Sequence, residues 1–128
     1  MSESTYTYDA GALLAAEKGN RSVWALHAWA VARGYRPIIP AAVLAQAWRG
    51  GPQAQLSRLL RSCEVEELTE ARAREAGTAC ALAHTSDIVD ASVVVGALAR
   101  EDTVVTTDPD DMIRLADALG REIQVVRL

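Results

Sequence analysis

A β-prone run, Thr5-Tyr6-Thr7-Tyr8, stops at Asp9 and passes at once into the helix-prone Ala10-Gly11-Ala12-Leu13-Leu14-Ala15-Ala16-Glu17. The same alternation recurs along the chain. A second helix is predicted from about Ser22 to Arg33, with Val23, Leu26, Trp29 and Ala30 on its buried stripe and Gly34 as its stop. Arg36 to Ile39 reads as a strand, and Pro40 suits the first turn of a helix running from Ala41 to about Trp48. Gly50-Gly51-Pro52 breaks that helix before another at Gln53–Ser62. Val65–Leu68 is a third strand, Thr69 caps a helix reaching about Ala83, and a further helix spans about Asp87 to Arg100. Thr103–Thr107 is a fourth strand, Pro109 opens a helix ending before Gly120, and Ile123–Val126 is a fifth strand. Because parallel neighbours need crossover helices, this order predicts an α/β fold with a parallel sheet covered on both faces.

The 128 residues suffice for one ordinary domain and are too few for two cores of usual size. Half of them are apolar and 23% are charged, the composition of a folded chain. No apolar run approaches the roughly 18 residues of a membrane span. The N-terminal stretch lacks the basic start and apolar core of a signal peptide, so a cytoplasmic location is expected. Cys63 and Cys80 cannot build a disulfide framework or a zinc site and are expected as small buried thiols.

Charge is segregated along the chain. Residues 1–17 hold three acids and no base, residues 18–63 hold seven bases (Lys18, Arg21, Arg33, Arg36, Arg49, Arg58, Arg61) and no acid, and residues 64–128 hold 14 acids and six arginines. The net charge of −4 conceals this. A basic surface beside an acidic site suits an enzyme that acts on a polyanion through metal ions, and solvated helix faces give the same pattern.

Several α/β chemistries lack their residues. There is no GxGxxG, no GxxxxGK[ST] and no GxSxG, so dinucleotide, P-loop and nucleophile-elbow sites are set aside. Lys18 is the only lysine and follows the first helix, out of place for an aspartyl-phosphate site. His27 and His84 have no metal-ligand spacing and are expected to be surface or partly buried imidazoles.

Aspartates remain. Asp87 and Asp90 are three apart on one helix face, in a stretch otherwise apolar from Ile88 to Leu98. A carboxylate embedded there must be paired or hold a cation. Asp9 follows the first strand and Asp108 the fourth, and reactive groups of parallel sheets gather at strand carboxyl ends. Such hard oxygen ligands suit Mg2+ or Mn2+. Asp108-Pro109-Asp110-Asp111 also reads as a helix start with Asp108 as cap, and Asp87 has the same alternative.

Tyr8-Asp9-Ala10-Gly11-Ala12-Leu13, Pro40 to Arg49, Asp87-Ile88-Val89-Asp90-Ala91 and Thr106-Thr107-Asp108-Pro109-Asp110-Asp111 resemble, in order and spacing, the motifs of PIN-domain ribonucleases, in particular VapC-type toxins of toxin–antitoxin pairs. The resemblance spans almost the whole chain. It implies a PIN-like fold with a five-stranded parallel sheet flanked by helices, an acidic Mg2+ or Mn2+ site, and metal-dependent RNA cleavage. It places Asp9, Asp90 and Asp108 at the core of the metal site, with Asp87 and Asp111 as further carboxylates. Gln46 stands where such nucleases usually carry a glutamate, and residues 18–63 contain no acid to replace it.

The function expected from the sequence is therefore a metal-dependent endoribonuclease, with Gln46 orienting water or a ligand, Thr106 supporting a carboxylate or packing within its strand, and Arg49 holding a flanking phosphate. Trp24, Trp29 and Trp48 are expected in the core or at contacts of a homodimer, and an antitoxin protein is the expected partner. Two rival readings stand beside this one: a PIN-like module that binds RNA or protein without cutting, favoured by Gln46, and a metal-dependent phosphatase with a small substrate.

Overall fold

The computed structural model describes residues 5–128; Glu3, one of the N-terminal acids counted above, lies outside them. Five strands alternate with seven helices among these residues. Strand β1 (Tyr6–Tyr8) leads into α1 (Ala10–Glu17) and α2 (Arg21–Ala32), and β2 (Ile38–Pro40) into α3 (Ala41–Ala47) and α4 (Ala54–Leu60). Strand β3 (Glu64–Glu66) precedes α5 (Glu70–Ala83) and α6 (Ile88–Arg100), and β4 (Thr103–Thr106), α7 (Pro109–Ala118) and β5 (Gln124–Arg127) complete the chain. The elements are those the sequence predicts, with β1 and β4 shorter by one residue and β2, β3 and β5 shifted by one or two at their ends. Pro40 falls on the last position of β2 because its φ of −58° and ψ of 141° are extended, and the helix begins one residue later.

The sheet is wholly parallel in the order β3-β2-β1-β4-β5. From the central β1 the chain builds outward through β2 and β3, then returns past β1 to lay down β4 and β5 on the other side. The crevice between the carboxyl ends of β1 and β4 is thus the topological switch point, the place where such sheets bind ligands. In β1 the adjacent residues Thr7 and Tyr8 point to opposite faces and neither is exposed, so helices cover both faces.

The core gathers Tyr8, Leu13, Ile39, Leu56, Val93 and Val105 among others. Cys63 and Cys80 are buried free thiols, as expected, and burial pushes the Cys63 thiol up to about 12. Tyr8 donates through its hydroxyl to His27 Nδ1 at 2.8 Å, and His27 Nε2 reaches Ser62 Oγ at 2.6 Å. Since Ser62 Oγ bonds on to the carbonyl of Leu59, a neutral His27 satisfies every group in the chain. Burial, helped by the charge of Arg58, lowers the His27 pKa and favours that neutral form.

Trp29 departs from its predicted place. Val23, His27 and Ala30 make the buried stripe of α2, and Trp29 lies two positions past His27, turned to the opposite side and 43% exposed. It packs edge-on against Tyr6, and the Arg33 guanidinium lies 4.1 Å from its ring centre.

The face of β1 that carries Thr7 holds a charged network. Asp102, 4% exposed, accepts from Thr7 Oγ1 at 2.8 Å and from Arg100 Nε at 2.8 Å. Arg100 also donates to Thr7 Oγ1 and to Glu66, and Glu66 pairs with Arg72 at 3.7 Å. Gly96 lies beneath it, where a Cβ would stand 3.1 Å from Glu66 Oε1 and 3.2 Å from Arg100 Nη1.

Candidate active site

Asp9 caps α1 at the end of β1. Its Oδ1 accepts from the Ala12 amide at 2.8 Å, the bond that starts the helix, and its Oδ2 accepts from the Thr106 hydroxyl at the end of the neighbouring β4. The carboxylate is 5% exposed. Thr106 Oγ1 accepts in turn from the Asp108 amide at 2.8 Å, so one hydroxyl ties the two strand ends together. Asp108 occupies the cap position of α7 without making the capping bond, because its backbone amide is drawn to Thr106 and its carboxyl is left to lie against that of Asp111. Asp9, read from the sequence only as a strand-end acid, is a helix cap.

The third element is the start of α6. Asp87 accepts from the Asp90 amide at 3.0 Å and caps the helix, as its alternative reading holds, and this leaves Asp90 half-buried and facing inward. Burial raises the Asp90 pKa to about 7, and the charges of Asp87, Asp9 and Asp111 add to the effect. Burial likewise raises Asp9 against the lowering effect of its hydrogen bonds, with Asp108 adding repulsion. Asp111 is raised chiefly by its contact with the Asp108 carboxyl. All five aspartates singled out in the sequence thus belong to one electrostatic cluster at the switch point, built from both halves of the chain.

The donor set suits a hard divalent cation, for the carboxylates crowd and repel one another. Among the described residues no three His, Cys, Asp or Glu side chains converge tightly enough to enclose an ion. The arrangement fits an open, largely hydrated Mg2+ or Mn2+ site, which needs only one or two carboxylates, and does not form a dedicated cage.

Gln46 is exposed on α3, and no hydrogen bond among the described residues ties it to the aspartates. Arg49 turns its guanidinium back to the carbonyls of Trp48 at 2.8 Å and Ala45 at 3.4 Å, finishing the end of α3. All seven bases of residues 18–63 are exposed. Two of them are committed to indole rings: Arg33 to Trp29, and Arg58 to Trp24, whose Nε1 donates to the Ala16 carbonyl.

Sequence reasoning missed two contributors. A Cβ on Gly11 would lie 2.1 Å from Thr107 Oγ1, so the missing side chain lets α1 approach the loop that carries Asp108; a glycine two residues past a strand-end aspartate was the available signal. Arg114 lies beside Asp111, with Nη1 3.4 Å from its Oδ1. Its position three residues past Asp111 on a helix was the corresponding signal.

No family model matches the chain, and no curated protein matches it. Among solved structures, a chain from the crystal structure of VapBC2 from Rickettsia felis bound to a DNA fragment from their promoter aligns with a TM-score of 0.73. The alignment covers 97% of this chain and 98% of that one at 16% identity. The likeness shows the fold that this chain shares with that one, a five-stranded parallel α/β domain, as the sequence predicts.

Proposed function

We propose that the chain is a Mg2+- or Mn2+-dependent endoribonuclease acting in the cytoplasm as the toxin of a toxin–antitoxin pair. The observation that carries the reading is the buried Asp9 carboxylate at the switch point, held by Thr106 and crowded by Asp90 and Asp108. Placing such repelling charges together is costly, and a bound cation offsets that cost and turns the site attractive to a phosphodiester. A bound divalent ion would acidify water and neutralise charge developing on the phosphoryl oxygens. The chain supplies the rest. Asp9, Asp90 and Asp108 would face a hydrated ion, one or two of them binding it directly and the rest through its waters, and Asp87 and Asp111 would add charge at its border. Thr106 fixes the direction of the Asp9 carboxylate. The exposed bases Lys18, Arg21, Arg36 and Arg61 would supply contacts to RNA phosphates.

An antitoxin is the proposed protein partner, supported by the structural likeness to a chain of VapBC2. A homodimer is proposed from Trp29 and Trp48, which are 43% and 40% exposed, together with Val31 at 41%. Light scattering at micromolar concentration should give about twice 13.7 kDa, and the monomer mass would end that part of the proposal.

The test is RNA cleavage in Mn2+ against cleavage in excess chelator. Activity that survives the chelator excludes the metal mechanism. A second reading, binding without cutting, is favoured by the neutral, exposed Gln46. The same assay separates the two when run on Gln46→Glu, which should tighten Mn2+ binding and raise the cleavage rate about tenfold by restoring roughly one charge–metal contact. If both stay unchanged, Gln46 does not occupy the glutamate position.

A further inference from the structure

A cleft of about 150 Å3 opens between the end of α5, the start of α6 and α7, lined by Thr85, Asp87, Asp90 and Asp111, with Arg114 as its one cationic side chain. Three carboxylates repel a polyanion, so RNA that approaches this cleft needs a donor there. Arg114 is placed to be that donor. Its side chain is 70% exposed and its link to Asp111 is a single contact of 3.4 Å, long for a charge-assisted bond. Most of its five N–H donors are therefore uncommitted. Arg74 and Arg100 are held in closer carboxylate pairs, Arg33 and Arg58 lie on tryptophan rings and Arg49 on the carbonyls of its own helix, and no arginine besides Arg114 lines the cleft.

We infer that Arg114 is a phosphate-positioning residue, which swings away from Asp111 to hold the oxygens of an RNA phosphate at the mouth of the Asp87–Asp90–Asp111 cleft. The substrate class rests on the ribonuclease reading, but the contact itself is a binding contact and is measurable without metal. A planar guanidinium can grip two phosphate oxygens at once, which an ammonium cannot.

The test is fluorescence anisotropy with a short labelled single-stranded RNA, in EDTA, over a series of salt concentrations. Arg114→Ala should weaken binding about tenfold and reduce the slope of log affinity against log salt by about one. Arg114→Lys should restore the slope and only part of the affinity. Arg74→Ala, which removes an exposed arginine paired with Glu70 on α5, should change neither. Unchanged or tighter binding by Arg114→Ala overturns the inference and leaves Arg114 as a counter-ion for Asp111. A wild-type chain that binds no RNA at low salt overturns it as well. The nuclease reading fails separately: a chain that cuts no RNA in Mn2+ yet shows Arg114-dependent binding loses that reading alone, and an active chain indifferent to Arg114 loses the inference alone.

Discussion

Asp9→Asn is expected to reduce metal-dependent RNA cleavage about a thousandfold or more while leaving the protein folded and, in chelator at neutral pH, at least as stable as the wild type. The activity loss follows from removing a charge at the centre of the cluster, where electrostatic stabilisation of several kcal/mol is at stake. The stability result follows from burial. The Asp9 pKa is raised above its ordinary 3.8, so the folded protein disfavours the ionised carboxyl. The contribution of a group shifted this way is fully present below pH 3.8, and is lost as the pH rises through the higher folded value. Asparagine keeps an oxygen for the Ala12 amide, since the two residues cap helices about equally well, and it carries no charge to desolvate. Chemical denaturation of both proteins at pH 7 and at pH 3, beside the cleavage assay, checks the pair of effects. Full activity in Asp9→Asn would remove Asp9 from the site, and unfolding of the variant would show that Asp9 serves the helix and not the reaction.

Arg100→Ala should cost about 3–5 kcal/mol of stability, the typical result of removing one partner from a buried ion pair. The Asp102 side chain is 1% exposed and Arg100 is its cation. After truncation the carboxylate keeps the Thr7 hydroxyl and the Thr5 amide, two neutral donors, in a place that water barely reaches. Glu66 would retain Arg72 at 3.7 Å and suffer less. The melting temperature should fall by roughly 10 °C or more for a domain of this size. The double variant Arg100→Met with Asp102→Asn should recover much of the loss, because it withdraws both charges and refills the volume. A loss below about 1 kcal/mol in the single variant would mean that the network is far better solvated than its burial indicates.

The two variants lie on opposite sides of what could be read from the sequence. Asp9 was legible as a functional residue because a strand that ends in an acid and enters a helix directly has one place to put that acid, the carboxyl edge of the sheet. Asp90 was legible because a carboxylate inside the apolar run of α6 demands a partner. Arg100 and Asp102 were not legible. They are two residues apart at a helix–strand junction, a spacing with no periodic signature, and they are joined through Thr7, 93 and 95 positions away. Trp29 was assigned to the buried side because bulk and hydropathy do not fix the angular position of a residue on a short helix when the stripe is set by smaller neighbours.

Local rules therefore determined the succession of strands and helices, the parallel sheet with both faces covered, and the candidate aspartates, since hydrophobic period, caps and breakers act over a few residues. The tertiary structure alone decided which carboxylates press on one another and which acid caps a helix. It also decided that Thr106 joins Asp9 to Asp108 and that Arg114 enters the acidic cleft. Those outcomes depend on the strand order that sets β4 beside β1, and on desolvation and Coulomb interaction, which depend on burial and distance in space and are not encoded in the separation of residues along the chain.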